Sequence, residues 1–289
     1  MINRDLIKTN DVKIIGTLTD VESNTNSTND GREYISGNLT IRSNDSDYKM
    51  HFFAMRLTKS GSESKLYSTY ATLDNLLNKR VEVTGELDEI KIVEGNTIKK
   101  ANQLNAKFIN VLSESFNKDD DATFEVTGFI KDGLAAVYEQ DGATVKDYVL
   151  TLAQPNYKNT AAKILRFNVD KTNTNVVEAL QNNFKPKDTI TIRGSLNFSI
   201  ETITKTEQSD FGPAIEKKYQ RSNRRYVITS GGRVDMDFAY TEEEINELML
   251  GTEAEDNKRL TSRGSSSAPT SNNNFAASAS KVLAQPKLI

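Results

Sequence analysis

The chain has 289 residues, 36% of them hydrophobic and 27% charged, with a formal net charge of -3, a single histidine and no cysteine. That composition suits a folded chain of about two domains. It excludes disulfides, thiol nucleophiles, zinc–thiolate sites and any triad or metal site built from several histidines, so neither an enzyme nor a bound metal or cofactor is expected.

No run of about 18 apolar residues occurs, so no membrane-spanning helix is expected. Met1-Ile2-Asn3-Arg4-Asp5 lacks the apolar stretch of a secretory leader, which makes a cytoplasmic location the expectation. Charge is unevenly spread. Residues 1–240 hold 32 basic and 33 acidic side chains, 241–256 hold seven acids and no base, and 257–289 hold five bases and no acid. Attraction to a polyanion must therefore come from local basic patches.

In chain order, the first element is Val12-Lys13-Ile14-Ile15-Gly16-Thr17-Leu18, whose alternating apolar residues predict a strand bent at its glycine. A second strand follows over Glu33–Arg42, with Ile35, Leu39 and Ile41 on one face and Tyr34, Asn38, Thr40 and Arg42 on the other, open one. A third, Asp47–Leu57, is apolar on both faces, so periodicity leaves its register open. Leu66–Leu77 predicts a short helix, and Val81-Glu82-Val83-Thr84-Gly85-Glu86-Leu87 repeats the glycine strand. Asp88–Ala106 alternates Ile90, Ile92 and Ile98 around Glu94-Gly95-Asn96, a ribbon that carries Lys91, Lys99 and Lys100. Lys107–Leu112 is the last strand of this set. Asp119-Asp120-Asp121 then reads as solvated linker acids rather than a metal site.

The same series recurs. Phe124–Ile130 and Ile190–Leu196 are glycine strands around Gly128 and Gly194. Between them lie strands at Val145–Ala153 and Ala161–Val169 and a helix at Thr174–Phe184, and after a second long excursion, about Thr204 to Arg224, a last strand follows at Arg225–Thr229 or beyond. Gly16 to Gly85 spans 69 residues and Gly128 to Gly194 spans 66, while the two sets are offset by 112 and 109, so a unit of this length is used twice. Strand, strand, strand, helix, strand, strand is the order of the OB-fold, a partly open five-stranded Greek-key barrel. The predicted class is all-β with short helices: two tandem OB barrels, 1–115 and 116–240, then an acidic helix at 241–252 and a disordered tail at 253–289.

Tyr48-Lys49-Met50-His51-Phe52-Phe53-Ala54-Met55-Arg56, then Thr69–Leu77, then Lys79–Leu87 resemble the single-stranded DNA-binding protein family, in which an aromatic-bearing third strand runs into a helix and a V-x-V-x-G-x-L strand. The tandem layout is similar to a phage-type member. The resemblance implies a stacking aromatic at Tyr48. That puts Met50, Phe52 and Arg56 on the open face and His51, Phe53 and Met55 in the core; the alternative, Phe52 in the core, stays open.

Sequence-tolerant single-strand binding needs aromatic faces for bases and cations for phosphates. Tyr34, Arg42, Tyr48, Phe52 and Arg56 are the candidates in the first unit, with Lys91, Lys99 and Lys100 on its ribbon. The second unit offers Tyr157 in a loop, with Lys163 and Arg166 on its third strand, whose Leu165, Phe167 and Val169 read as core. From Lys217 to Arg225, five of nine residues are basic and none is acidic: Lys217, Lys218, Arg221, Arg224 and Arg225, with Tyr219 and Tyr226 interleaved. A solvated basic loop is the plain alternative.

Thr241-Glu242-Glu243-Glu244 has the form of a capping box, and Ile245, Leu248 and Met249 form a narrow apolar stripe ending near Leu250. This acidic helix is a candidate dock for replication or recombination proteins, or a segment that folds back on the chain's own basic groove. The terminal Ala284-Gln285-Pro286-Lys287-Leu288-Ile289 departs from the acidic, phenylalanine-ended tip of bacterial family members. Single-stranded DNA is the expected partner. RNA binding and a protein-adaptor role are the alternatives.

Overall fold

The strands follow from the alternating segments, and their closure follows from the glycines. The computed structural model describes residues 6–56, 65–113, 118–139, 141–207 and 215–263. The first set runs β1 (Asn10–Ser27), β2 (Glu33–Ser43), β3 (Ser46–Met55), α1 (Lys65–Ala71), a 3-10 turn (Leu73–Leu76), β4 (Arg80–Glu94) and β5 (Thr97–Val111). The second runs β6 (Asp121–Tyr138), β7 (Val145–Pro155), β8 (Ala162–Val169), α2 (Thr174–Asn182), β9 (Thr189–Glu207) and β10 (Ile215–Arg233), and α3 (Glu242–Arg263) follows.

Each set closes on itself. β1 pairs with β2 and β4, β2 with β3, β3 with β5 in parallel, and β4 with β5. β6 through β10 repeat this ring, with β8 and β10 as the parallel pair. The protein is all-β with a few short helices and is OB-fold-like. Closure brings neighbouring strands close together, and the repeated glycines sit where a neighbour's backbone comes nearest. A Cβ on Gly85 would lie 1.9 Å from the Asn105 carbonyl oxygen, and the other three repeat glycines face a carbonyl of the neighbouring strand in the same way.

The inward residues of both rings and of the helices below them form one buried cluster. Tyr67, Tyr70 and Leu73 fill the end of the first ring, where Tyr70 stacks on Phe52 at 4.7 Å and 7°. Val177 and Leu180 of α2 do the same for the second. The expected strands are present but longer: β5 begins at Thr97 rather than Lys107, and β10 at Ile215 rather than Arg225, because each long excursion is itself a paired ribbon. Leu57, the expected end of the third strand, lies outside the described residues.

β1 also joins the two rings. Its residues Asn10–Ile15 pair with β6, and Val12–Thr17 pair with β4. At this seam the buried Asn10 side chain donates to the Leu87 carbonyl (2.8 Å) and to Gln154 Oε1 (2.7 Å), and Gln154 Nε2 donates to the carbonyls of Thr9 and Thr127. Satisfied buried amides of this kind hold one arrangement of the two rings, because any other leaves them unpaired.

The capping box of α3 is in place: Thr241 N donates to Glu244 Oε2 (2.8 Å) and Glu244 N to Thr241 Oγ1 (3.3 Å). Two expectations about this segment are corrected. The helix does not end near Leu250 but runs to Arg263, so residues 253–263 are helical. The rest of the expected disordered tail, from 264, lies outside the described residues. The apolar stripe is also not free for a partner, since Ile245 and Leu248 are buried against Phe129, Ala153 and Ile164 of the chain itself. The helix passes Gly251 because contact with the second ring requires it there. A Cβ on Gly251 would sit 1.8 Å from the Thr160 carbonyl oxygen, and next to it Thr252 Oγ1 accepts from Ala162 N (2.8 Å). Gly251→Ala is expected to lift α3 and lower stability by about 1–3 kcal/mol, an overpacking cost. Amide exchange would report it as lost protection over 245–252, with β1–β5 unchanged.

Candidate nucleic-acid interface

The β2–β3 hairpin sets which side chains are available to a ligand. Asn44 and Asp45 both have positive φ (46° and 61°), the conformation of a two-residue hairpin turn. Ser43 therefore pairs with Ser46, Ile41 with Tyr48, Leu39 with Met50 and Gly37 with Phe52. Cross-strand partners share a face. Ile41 and Leu39 are buried, so Tyr48, Met50 and Phe52 are buried too, at 3%, 0% and 1% exposure.

This corrects the expected register. Tyr48 and Phe52 are core residues and offer no ring face to a base. The Tyr48 hydroxyl donates to the Leu196 carbonyl (2.7 Å), and its ring lies against Phe198. His51, Phe53 and Met55 are not core; they line the outward face with Lys49. Phe53 is 48% exposed and leans on Tyr34 at 5.3 Å between centroids. It is the stacking candidate that reading the sequence missed.

The outward face continues into a cleft of about 930 Å³ between the two rings. Its basic groups are Lys49 and His51 of β3, Lys100 of β5, Arg166 of β8, and Arg221 and Arg224 of β10, and no carboxylate lines it among the described residues. In a chain of net charge -3 this is a local excess of one sign, and low-dielectric walls focus such a field. Lys49 is matched by Glu22 at 2.8 Å, from outside the cleft. Arg166, Arg221 and Arg224 make no ion pair with a described carboxylate; Arg224 lies 5.8 Å over the Phe198 ring. Burial lowers the His51 pKa and outweighs a hydrogen bond with the Gly37 backbone that acts the other way.

The remaining candidates divide by what already holds them. Lys91 and Lys100 are taken by α3: Asp256 lies 2.7 Å from Lys91 and 2.6 Å from Lys100, and the Lys91 side chain is 6% exposed. Burial works against the Asp256 charge, but the two lysines outweigh it and hold this carboxyl below the usual range. Glu89, between the same lysines, is pushed up by burial. The ribbon reading therefore loses these two cations as free phosphate contacts. Lys99 pairs with Glu94, Arg42 with Asp47, Arg56 with Glu33, Lys163 with Asp88, and Arg225 with Asp147.

Tyr226 is a further correction, buried at 5% with its ring edge-on to Phe198. Lys218, Tyr219, Arg221 and Arg224 of the basic run are exposed on β10, while the Lys217 side chain lies outside the described set. Tyr157 is 81% exposed, away from the cleft lining, with Lys158 Nζ 5.3 Å over its ring. The structure thus brings Arg166, Arg221 and Arg224 together and joins to them Lys49 and His51, which sequence reasoning left aside.

No helix among the described residues is long and apolar enough to cross a membrane. No curated protein matches the sequence. Among solved structures, the wild-type single-stranded DNA binding protein from Thermus aquaticus is similar with a TM-score of 0.46 at 16% identity, over 79% of this chain and 94% of that one. A deletion mutant of the same protein gives 0.44 at 15%, over 82% and 98%. A Replication Protein A heterotrimer bound to ssDNA gives 0.20 at 8%, over 84% and 71%. A family model described as YorF matches residues 8–262.

Proposed function

The chain belongs to the YorF family, a name that carries no chemistry, and from the geometry of its cleft we propose that it is a non-enzymatic, sequence-tolerant binder of single-stranded DNA. The observation that carries this reading is a cleft lined by no described carboxylate, with three arginines that form no ion pair with one. The cations of such a groove release the counterions condensed on the phosphates they meet, and arginine also stacks on base faces. Phe53 on Tyr34, at the edge of the same face, supplies an aromatic platform.

On this reading the working units are 1–115 and 116–240. The setting is DNA replication, recombination or repair of the phage type, in the cytoplasm of a host. A replication or recombination protein docking on α3 meets its acidic first turn, Glu242 to Glu244, rather than its apolar stripe. The adaptor alternative has one observation of its own: Met236 and Phe238, between β10 and α3, are 91% and 56% exposed.

Fluorescence anisotropy tests the proposal, with a labelled DNA strand of about 30 nucleotides, its duplex and the equivalent RNA; OB folds cover about 4–16 nucleotides each. The expected result is tighter binding of the single strand than of the duplex, weakening steeply with salt. No binding at low salt would sink the proposal and leave the adaptor reading. Preference for the RNA strand would reassign the ligand.

A further inference from the structure

Asn102 of β5 lies where the two rings face each other in the cleft, and it is 8% exposed. Its side chain acts as a β-ladder partner would. Nδ2 donates to the Arg166 carbonyl oxygen (2.7 Å), and the Arg166 backbone N–H donates back to Oδ1 (3.0 Å). Its own carbonyl accepts from the Tyr226 hydroxyl at 3.5 Å. One residue of the first ring thus holds β8, which carries Arg166, and touches β10, which carries Arg224.

The chemistry is specific to this side chain. Aspartate has no donor for the Arg166 carbonyl, leucine has neither group, and glutamine is one methylene too long for the same pair of contacts. The seam through β1 and β6, the Lys163–Asp88 pair and α3, which holds both β8 and Lys100, also join the rings, but among the described residues of the first ring only Asn102 hydrogen-bonds to the Arg166 backbone itself.

We propose that Asn102 is a positioning residue that makes one continuous binding site out of two half-sites, so that a strand on the Lys49–Phe53 face meets Arg166 and Arg224 in register. This rests on the reading of the cleft as a single-strand site. A strand long enough to reach both half-sites gains from the second contact being intramolecular, and that gain depends on their fixed spacing. Loss of Asn102 removes the gain without removing either half-site.

The experiment uses the full chain, wild type and the variants Asn102→Ala and Asn102→Leu, with labelled DNA strands of about 8 and about 30 nucleotides, chosen around the site size of one OB fold. Amide exchange at Arg166 is followed in the free proteins. The expected result is long-strand affinity about 10-fold lower in both variants. Short-strand affinity should stay within about twofold, with faster exchange at Arg166. Equal losses at both lengths, with a lower Tm, would assign Asn102 a purely structural role and overturn the proposal. So would unchanged long-strand affinity alongside faster exchange. A wild type that binds neither length overturns the reading of the cleft itself; variants that fail to differ from a wild type that binds overturn only the role of Asn102.

Discussion

Replacing Arg166, Arg221 and Arg224 together by glutamine is expected to weaken single-strand binding about 100-fold at physiological salt and to cut the slope of log K against log salt by about 2, at roughly 0.7 per phosphate contact on a single strand. None of these three forms an ion pair with a described carboxylate, and no described carboxylate lines the cleft, so a phosphate can take them up without breaking a described pair. Arg42 is the matched control. Its guanidinium is already forked on Asp47 at 2.9 and 3.0 Å, and Arg42→Gln should cost less than about threefold, the scale of an exposed pair. Fold should survive the triple change, because Arg166 is held through its backbone and the other two side chains are exposed. Anisotropy titrations at several salt concentrations read both numbers. A triple variant with wild-type slope would remove the cleft from the binding path.

The second large effect separates two adjacent phenylalanines. Phe52→Ala is expected to lower stability by about 3–5 kcal/mol, the cost of emptying a filled aromatic site. Phe52 is 1% exposed and stacked on Tyr70, which plugs the end of the first ring. Phe53→Ala, one residue on, should cost under about 1 kcal/mol of stability, as an exposed position away from the core. It should, however, weaken single-strand binding by about 1–3 kcal/mol if a base stacks there. Urea melts and anisotropy on the pair give a crossed result: one variant is unstable, the other stable but weak-binding. The opposite pattern, with Phe53→Ala the unstable variant, would restore the inverted register.

That register marks where reading the chain stopped short. The alternation of β2 was legible because only one of its faces is apolar. β3 is apolar on both, Tyr48-Met50-Phe52-Ala54 against His51-Phe53-Met55, so its period alone chooses no face. A signal was nevertheless present. Asn44-Asp45 is a two-residue hairpin turn, and counting outward from it places Tyr48 opposite Ile41 and Met50 opposite Leu39. Turn chemistry would have put those side chains inward, where the likeness to a family put Tyr48 outward.

The basic run at 217–225 was likewise visible as composition, but tertiary neighbours divide it. Arg225 turns to Asp147 and Tyr226 packs on Phe198, while Arg221 and Arg224 remain for the cleft.

The amino-acid sequence by itself determined the strand order, the twofold use of one unit, the placing of its four glycines and the capping box of α3. Each of these rests on residues near one another in the chain, where period, turn and cap act locally. Only the tertiary structure decided which cations are free. Lys91 and Lys100 meet Asp256 more than 150 residues along, and Arg166 meets Asn102 across 64. A charge is neutralised by whatever stands within a few ångströms of it, and that neighbour is set by how the two rings pack rather than by the residues beside it in the chain.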